Sequence, residues 1–322
     1  MQIFISIICL VAGFALLVFC ADMFVDGASR VAEKFKIPQI VIGLTIVAFG
    51  TSAPEAAVSI TAGARGSADL AVANVLGSNI MNVLLILGIT SVICPLAVKM
   101  NTIKYEIPFV AVITALMGVL GFIGHKIGWV DGSILWVFML AFLAYLLISA
   151  KKGKGTEEEE EEKKPENIFI TIIKIIAGAA GIVVGSNLAV RGASDIATVF
   201  GVSERIIGLT IVAFGTSLPE LVTSIIAATK KKADLAIGNI VGSNIFNILF
   251  VLGTTALVTK GGVAYDPASC FLDNAVALGS ALMLLLFVGL HKKKLLSRLG
   301  GAIMLATYAA YFIVILKQAL GL

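Results

Sequence analysis

The chain has 322 residues, 59% of them apolar, with 32 glycines and only 44 charged side chains, 24 basic and 20 acidic. Soluble domains carry about 25% charged residues; at 14%, this composition excludes a soluble enzyme built around one core. The net charge of +4, carried by Lys and Arg in short clusters between apolar runs, is no basic footprint and excludes a nucleic-acid binder. A polytopic helical membrane protein remains. Each span takes about 20 mostly apolar residues, so the apolar residues and glycines furnish at most about ten or eleven.

Apolar runs bounded by charge or turn residues predict ten spans, at 3–21, 39–62, 70–93, 106–124, 130–149, 168–189, 206–228, 234–258, 269–290 and 300–316. Met1-Gln2 ahead of Ile3-Phe4-Ile5 lacks the positive n-region of a cleaved signal peptide, so the first run reads as a retained span. Cys9, Cys20, Cys94 and Cys270 lie in or beside these runs without C-x-x-C spacing and read as small hydrophobes. Seventeen Lys and Arg residues fall in the loops on one side and six on the other. Cytoplasmic loops carry such an excess, which predicts a cell-membrane protein with both termini outside and the central segment in the cytoplasm. That segment, 151–167, holds the Glu157 to Glu162 run, whose like charges favour solvation. It reads as a hinge between a first unit at 1–150 and a second at 168–322; a weak regulatory cation site is the sharper alternative.

The strongest organisational signal is a repeat. Gly43-Leu-Thr-Ile-Val-Ala-Phe-Gly-Thr-Ser-Ala-Pro-Glu55 recurs as Gly208-Leu-Thr-Ile-Val-Ala-Phe-Gly-Thr-Ser-Leu-Pro-Glu220, with 12 of 13 residues identical at an offset of 165. Leu70-Ala-Val-Ala-Asn-Val-Leu-Gly-Ser-Asn-Ile-Met-Asn82 recurs as Leu235-Ala-Ile-Gly-Asn-Ile-Val-Gly-Ser-Asn-Ile-Phe-Asn247 at the same offset, with 8 of 13 identical. The repeated regions span about 39–93 and 206–258. Five spans per half is an odd number, so the second copy enters the membrane from the opposite face, as in the inverted repeats of secondary transporters. The predicted fold class is therefore all-α, with ten transmembrane helices in two inverted-topology five-helix repeats.

An ionised carboxylate at mid-membrane costs at least a few kcal/mol and marks a functional position. Glu55 and Glu220 are the two carboxylates deep inside predicted spans, at equivalent repeat positions, and held together they repel unless protonated or neutralised by cations. Thr51, Ser52 and Glu55 fall at i, i+1 and i+4 on neighbouring positions of one helix face, and Thr216, Ser217 and Glu220 repeat this. Pro54 and Pro219 crowd the carbonyls of Gly50 and Gly215, so each helix must kink or open there, and freed carbonyls can face a cavity. Hydroxyls, carbonyls and one carboxylate at one depth suit hard cations such as Ca²⁺ and Na⁺, and the absence of His or Cys argues against Zn²⁺ or Cu⁺. In the second motif, Ser78 and Asn82, and likewise Ser243 and Asn247, stand one turn apart, while Gly77 and Gly242 allow close helix approach. These amides, and those of Asn79 and Asn244 on a neighbouring face, either line the site or only bond between helices. Asp69 and Asp234 open spans and read as caps.

The two segments resemble the α-repeats of the cation/Ca²⁺ antiporter superfamily, and specifically the prokaryotic Na⁺/Ca²⁺ exchangers. The resemblance implies two five-helix halves whose second, third, seventh and eighth spans enclose the ion sites, with the first and sixth sliding across them. It implies Glu55 and Glu220 as central Ca²⁺ ligands shared with Na⁺ sites. Thr51, Ser52 and Ser78 would serve one side, and Thr216, Ser217 and Ser243 the other. The carbonyls of Ala48 and Ala213 would complete Na⁺ coordination, and Asn82 and Asn247 would line the middle. Several relatives carry Asp where this chain has Asn247, and H⁺-coupled relatives carry Glu in the second motif. Without a third carboxylate, K⁺ co-transport and H⁺ coupling are disfavoured.

The resulting expectation is not an enzyme but a secondary antiporter. It exchanges Na⁺ for Ca²⁺ by alternating access and extrudes Ca²⁺ electrogenically, with the family's stoichiometry of three Na⁺ per Ca²⁺. Ca²⁺ and Na⁺ are its transported ions, the lipid bilayer is its surrounding partner, and no cofactor is called for. An H⁺- or K⁺-coupled exchanger is the alternative, and a cation channel with the two glutamates as its constriction stands further off.

Overall fold

The computed structural model describes residues 2–64, 69–152, 167–202 and 207–320; the Glu157 to Glu162 run lies outside them. In lipid every backbone polar group must be satisfied within the protein, and the chain answers with helices. These are α1 (Gln2–Phe35), α2 (Gln39–Thr51 and Ala53–Ala64), α3 (69–93), α4 (Thr102–Gly124) and α5 (Trp129–Lys152). They are followed by α6 (Ile168–Val199), α7 (208–216 and Leu218–Thr229), α8 (Ala233–Val258), α9 (Pro267–Leu290) and α10 (Arg298–Leu320). Counting each bent pair as one, ten helices are long and apolar enough to cross a bilayer among the described residues.

The helices α3 and α8 are mostly buried, whereas only about a fifth of the apolar stretch of α1, α5, α6 and α10 is. The repeated motifs thus occupy the centre of the bundle, and the outer helices present apolar side chains to lipid. Gly238 lets α8 cross α2 closely: a Cβ there would stand 2.9 Å from the Cα of Gly43 and 2.9 Å from the carbonyl oxygen of Ile40. Gly242 does the same against Leu44 and Ala48, while Gly77 has no described neighbour within 4 Å of such a Cβ. Along the α1–α6 contact, Gly13, Gly185 and Gly192 bring backbone against backbone, as small residues do where apolar helices pack tightly.

Among the described residues, four two-residue strands pin the loops. β1 (Leu96–Ala97) pairs antiparallel with β4 (Leu295–Leu296), and β2 (Lys126–Ile127) with β3 (Val263–Ala264). Each ribbon joins a loop of the first half to a loop of the second.

Both α1 and α6 run well past the predicted ends at 21 and 189, to Phe35 and Val199. Asp22 and Asp26 are therefore inside α1. Hydropathy registers only the apolar part of a helix, and here the polar continuation is held by packing and charge. Arg30 donates to Asp26 at 2.9 Å one turn away, Lys174 of α6 lies 3.7 Å from Asp26, and Lys230 after α7 reaches Asp22 at 2.7 Å. Asp234 stands in the first turn of α8 and also pairs with Lys99 at 2.6 Å. Cys20 is buried between α1 and α6, and Cys9, Cys94 and Cys270 are half-buried.

The close α2–α8 crossing yields a stability prediction. Gly238→Val drives a side chain into the backbone of α2 at Ile40 and Gly43, an overpacking cost of about 3 kcal/mol. The variant should melt several degrees lower in detergent; an unchanged melting temperature would mean the crossing is looser than described.

Candidate ion-binding site

The two G-T-S-x-P-E motifs each contain a helix break. Ser52 leaves helical geometry at φ −84°, ψ 6°, and Ser217 does so at φ −94°, ψ 3°, bending α2 by 53° and α7 by 52°. Proline two residues on accounts for both, because its ring cannot continue the preceding turn but suits the start of a new helix. The chain enters each break through a wider π-helical stretch, Gly43–Val47 and Gly208–Val212, and the same geometry recurs in the second motifs at Met81–Leu87 and Asn247–Leu252. Such turns interrupt the regular backbone ladder and often mark functional positions.

Glu55 and Glu220 sit in the first turn of the restarted half-helices, where the free N–H groups favour a negative charge. Both are about 1% exposed. Ser52 of the first motif donates to Glu220 Oε1 of the second at 2.9 Å, and Ser243 approaches the same oxygen at 3.5 Å. The motifs therefore interlock across 168 residues of sequence. Thr51, Ser52, Ser217, Ser78, Ser243, Asn82 and Asn247 are all buried around them, and Thr216 is half-buried. The side chain of Ala213 lies outside the described residues.

The second motifs meet at the centre. Asn82 donates to Asn244 Oδ1 and Asn247 to Asn79 Oδ1, each at 3.0 Å, so all four asparagines bond between α3 and α8. Five buried oxygens of the expected set find no hydrogen-bond partner: Glu55 Oε2, Glu220 Oε2, Asn82 Oδ1, Asn247 Oδ1 and Ser217 Oγ. Buried polar atoms are nearly always paired, and an unpaired carboxylate oxygen in an apolar bundle is especially costly. A set of anionic and amide oxygens, related by the repeat, fits a hard cation.

The carbonyls behave differently in the two halves. Ala48 O accepts from Ser52 N–H at 3.0 Å. Ser217 N–H instead turns to Phe214 O at 3.1 Å. The Gly215 carbonyl, expected to face a cavity, accepts from Ser186 of α6 at 2.8 Å. In the first half the equivalent of Ser186 is Ala21, which has no hydroxyl, and the Phe24 ring packs against Gly50.

Sequence reasoning passed over Asn74 and Asn239. Asn239 accepts from the Thr51 hydroxyl at 3.0 Å and donates to Ser224 at 3.0 Å and to the Glu220 carbonyl at 3.4 Å, while Asn74 donates to Ser59 at 2.9 Å. Their signal was their identity at the 165-residue offset, shared by Ser59 and Ser224.

The sequence profile described as sodium/calcium exchanger protein matches residues 5–148 and 170–317, nearly all of both halves. The chain belongs to the sodium/calcium exchanger family. It is 40% identical to the protein CaxA of Alkalimonas amylolytica over 95% of this chain and 97% of that one. It is 30% identical to the sodium/calcium exchanger MaX1 of Methanosarcina acetivorans over 98% and 99%. The solved sodium/calcium exchanger of Methanococcus jannaschii superposes with a TM-score of 0.83 at 30% identity, covering 97% of this chain and 98% of that one. The exchanger described here is thus a Na⁺/Ca²⁺ antiporter of ten membrane-crossing helices in two inverted repeats, and its family is one of transporters.

The Ser52 contact is open to test. Hydrogen bonds to a charged group contribute about 1.5–3 kcal/mol, and Ser52→Ala removes the 2.9 Å bond to Glu220 Oε1. The Ca²⁺ concentration for half-maximal uptake into vesicles should rise at least about tenfold; a wild-type value would show that the contact contributes nothing to ion binding.

Proposed function

We propose that this exchanger extrudes Ca²⁺ from the cytoplasm against inward Na⁺ movement, through one central site. Glu55 and Glu220 are the Ca²⁺ ligands, shared with Na⁺. Thr51, Ser52 and Ser78 supply neutral oxygens on one side and Thr216, Ser217 and Ser243 on the other. Asn82 and Asn247 line the middle, and the carbonyls of Ala48 and Ala213 complete Na⁺ coordination. The observation that carries this reading is the pseudo-symmetric set of unpartnered buried oxygens, Glu55 Oε2 with Glu220 Oε2 and Asn82 Oδ1 with Asn247 Oδ1.

Charge decides between cargoes. Two carboxylates are neutralised by one Ca²⁺, whereas three Na⁺ leave the site with one positive charge, so the cycle moves net charge. The asparagine at 247 adds no charge and supports Na⁺ over H⁺ or K⁺ coupling. The Lys and Arg bias of the loops supports a cell-membrane protein with both termini outside and segment 151–167 cytoplasmic, between a first repeat at 1–150 and a second at 168–322.

Purified protein in Na⁺-loaded vesicles should accumulate ⁴⁵Ca²⁺ only while the Na⁺ gradient lasts. Uptake that survives its collapse but follows a pH gradient would move the coupling to H⁺. With K⁺ outside and valinomycin added, an inside-positive potential should speed uptake, because net positive charge leaves the vesicle; indifference to potential would contradict the stoichiometry. Glu55→Gln and Glu220→Gln should each abolish Ca²⁺ transport in protein that stays monodisperse in detergent. Normal exchange in either would remove these residues from the site.

A further inference from the structure

The four asparagines form a pseudo-twofold chain, Asn82–Asn244–Asn79–Asn247, whose central pair has no role in the proposed ion site. Asn79 Nδ2 donates to the backbone carbonyl of Asn244 at 3.2 Å, and Asn244 Nδ2 donates to the backbone carbonyl of Asn79 at 3.2 Å. Asn247 Nδ2 donates to Asn79 Oδ1 and Asn82 Nδ2 to Asn244 Oδ1, each at 3.0 Å. All four side chains are at most 2% exposed.

The order of these bonds has a direction. A backbone carbonyl can only accept, so it holds the amide nitrogen of Asn79 or Asn244 against it. The oxygen of that amide, on the other arm of the fork, is then the group offered to the neighbouring asparagine. An oxygen can be met there only by a donor, so Asn247 and Asn82 must present their NH₂ groups. Their own oxygens consequently turn the other way, and these are the Oδ1 atoms that find no partner within the protein. A reversed amide at 82 or 247 would set two acceptors face to face at 3.0 Å and turn two N–H groups toward the cations.

We propose that Asn79 and Asn244 are positioning residues for ion binding: anchored on each other's backbone carbonyls, they lock the amides of Asn247 and Asn82 with the carbonyl oxygen facing the transported ions. The proposal rests on the site reading above and extends it. It gives Asn79 and Asn244 a function that touches no ion. It also explains why Asn82 and Asn247 need an amide: the nitrogen is held by the network and the oxygen is left for the cation. Because each lock is built from one helix of each repeat, the network also fixes α3 to α8 and pre-sets both amide ligands before an ion arrives.

A double-mutant cycle tests this, using ⁴⁵Ca²⁺ uptake into Na⁺-loaded vesicles with external Na⁺ as competitor. Asn79→Ala frees the Asn247 amide to turn its NH₂ inward; the half-saturating Ca²⁺ concentration should rise about tenfold, with the maximal rate within about twofold. Asn247→Ala should produce a comparable rise. The double variant N79A/N247A should be no worse than N247A, because Asn79 then has nothing to orient. Full additivity, or a wild-type half-saturation in N79A, would overturn the positioning role while leaving the site standing. An unchanged Na⁺/Ca²⁺ competition profile in N247A would instead remove Asn247 from the site and overturn both readings. If N79A is not monodisperse in detergent, the mirror cycle of Asn244→Ala with Asn82→Ala carries the same expectations.

Discussion

The structure depends on one electrostatic constraint: two carboxylates, Glu55 and Glu220, are buried together at the centre of an apolar bundle. Each costs at least a few kcal/mol in a medium without water. The surroundings offset part of that cost with groups that favour negative charge. The helix breaks at Ser52 and Ser217 turn two half-helix N-termini toward the glutamates, and Ser52 and Ser243 approach Glu220 directly. One oxygen of each carboxylate is still left without a protein partner. On the proposed reading, these two oxygens are the ones that meet the transported cations.

The inverted repeat supplies the ligand set in duplicate, yet the halves are not equivalent. Ser186 takes the Gly215 carbonyl on the α6 side, where the α1 side has Ala21. Ser52 is bonded to Glu220, while Ser217 Oγ has no partner. Lys230 and Lys174 tie into the extended end of α1, whose repeat counterparts of Asp22 and Asp26 are Asn187 and Arg191. A transporter with two access states can use such differences, because interactions present in one half only bias the equilibrium between conformations related by the repeat.

Much of this was legible in the sequence because it rests on local rules. Hydropathy located the spans, and the near-identity of residues 43–55 with 208–220 showed that they fall into two copies. The Pro54 and Pro219 breaks follow from proline geometry, and Glu55 and Glu220 stood out because a carboxylate has few reasons to sit there. What was missed is tertiary. The polar ends of α1 and α6 exist because the two helices pack on each other and are laced by charge, which no apolar window registers. Nothing local to Asn239 shows that its oxygen accepts from Thr51, 188 positions away. Likewise, the amide orientation of Asn82 and Asn247 is set from the opposite repeat. Motif spacing places residues on a helix face, but the partner across the interface decides which atom points inward.

The most direct measurement is diffraction from crystals grown with Ca²⁺, using its anomalous signal to locate the ion. One central peak is expected, bounded by Glu55 and Glu220, with carboxylate oxygens at about 2.3–2.6 Å. Ca²⁺ located elsewhere in the bundle, with neither glutamate in its coordination shell, would contradict it.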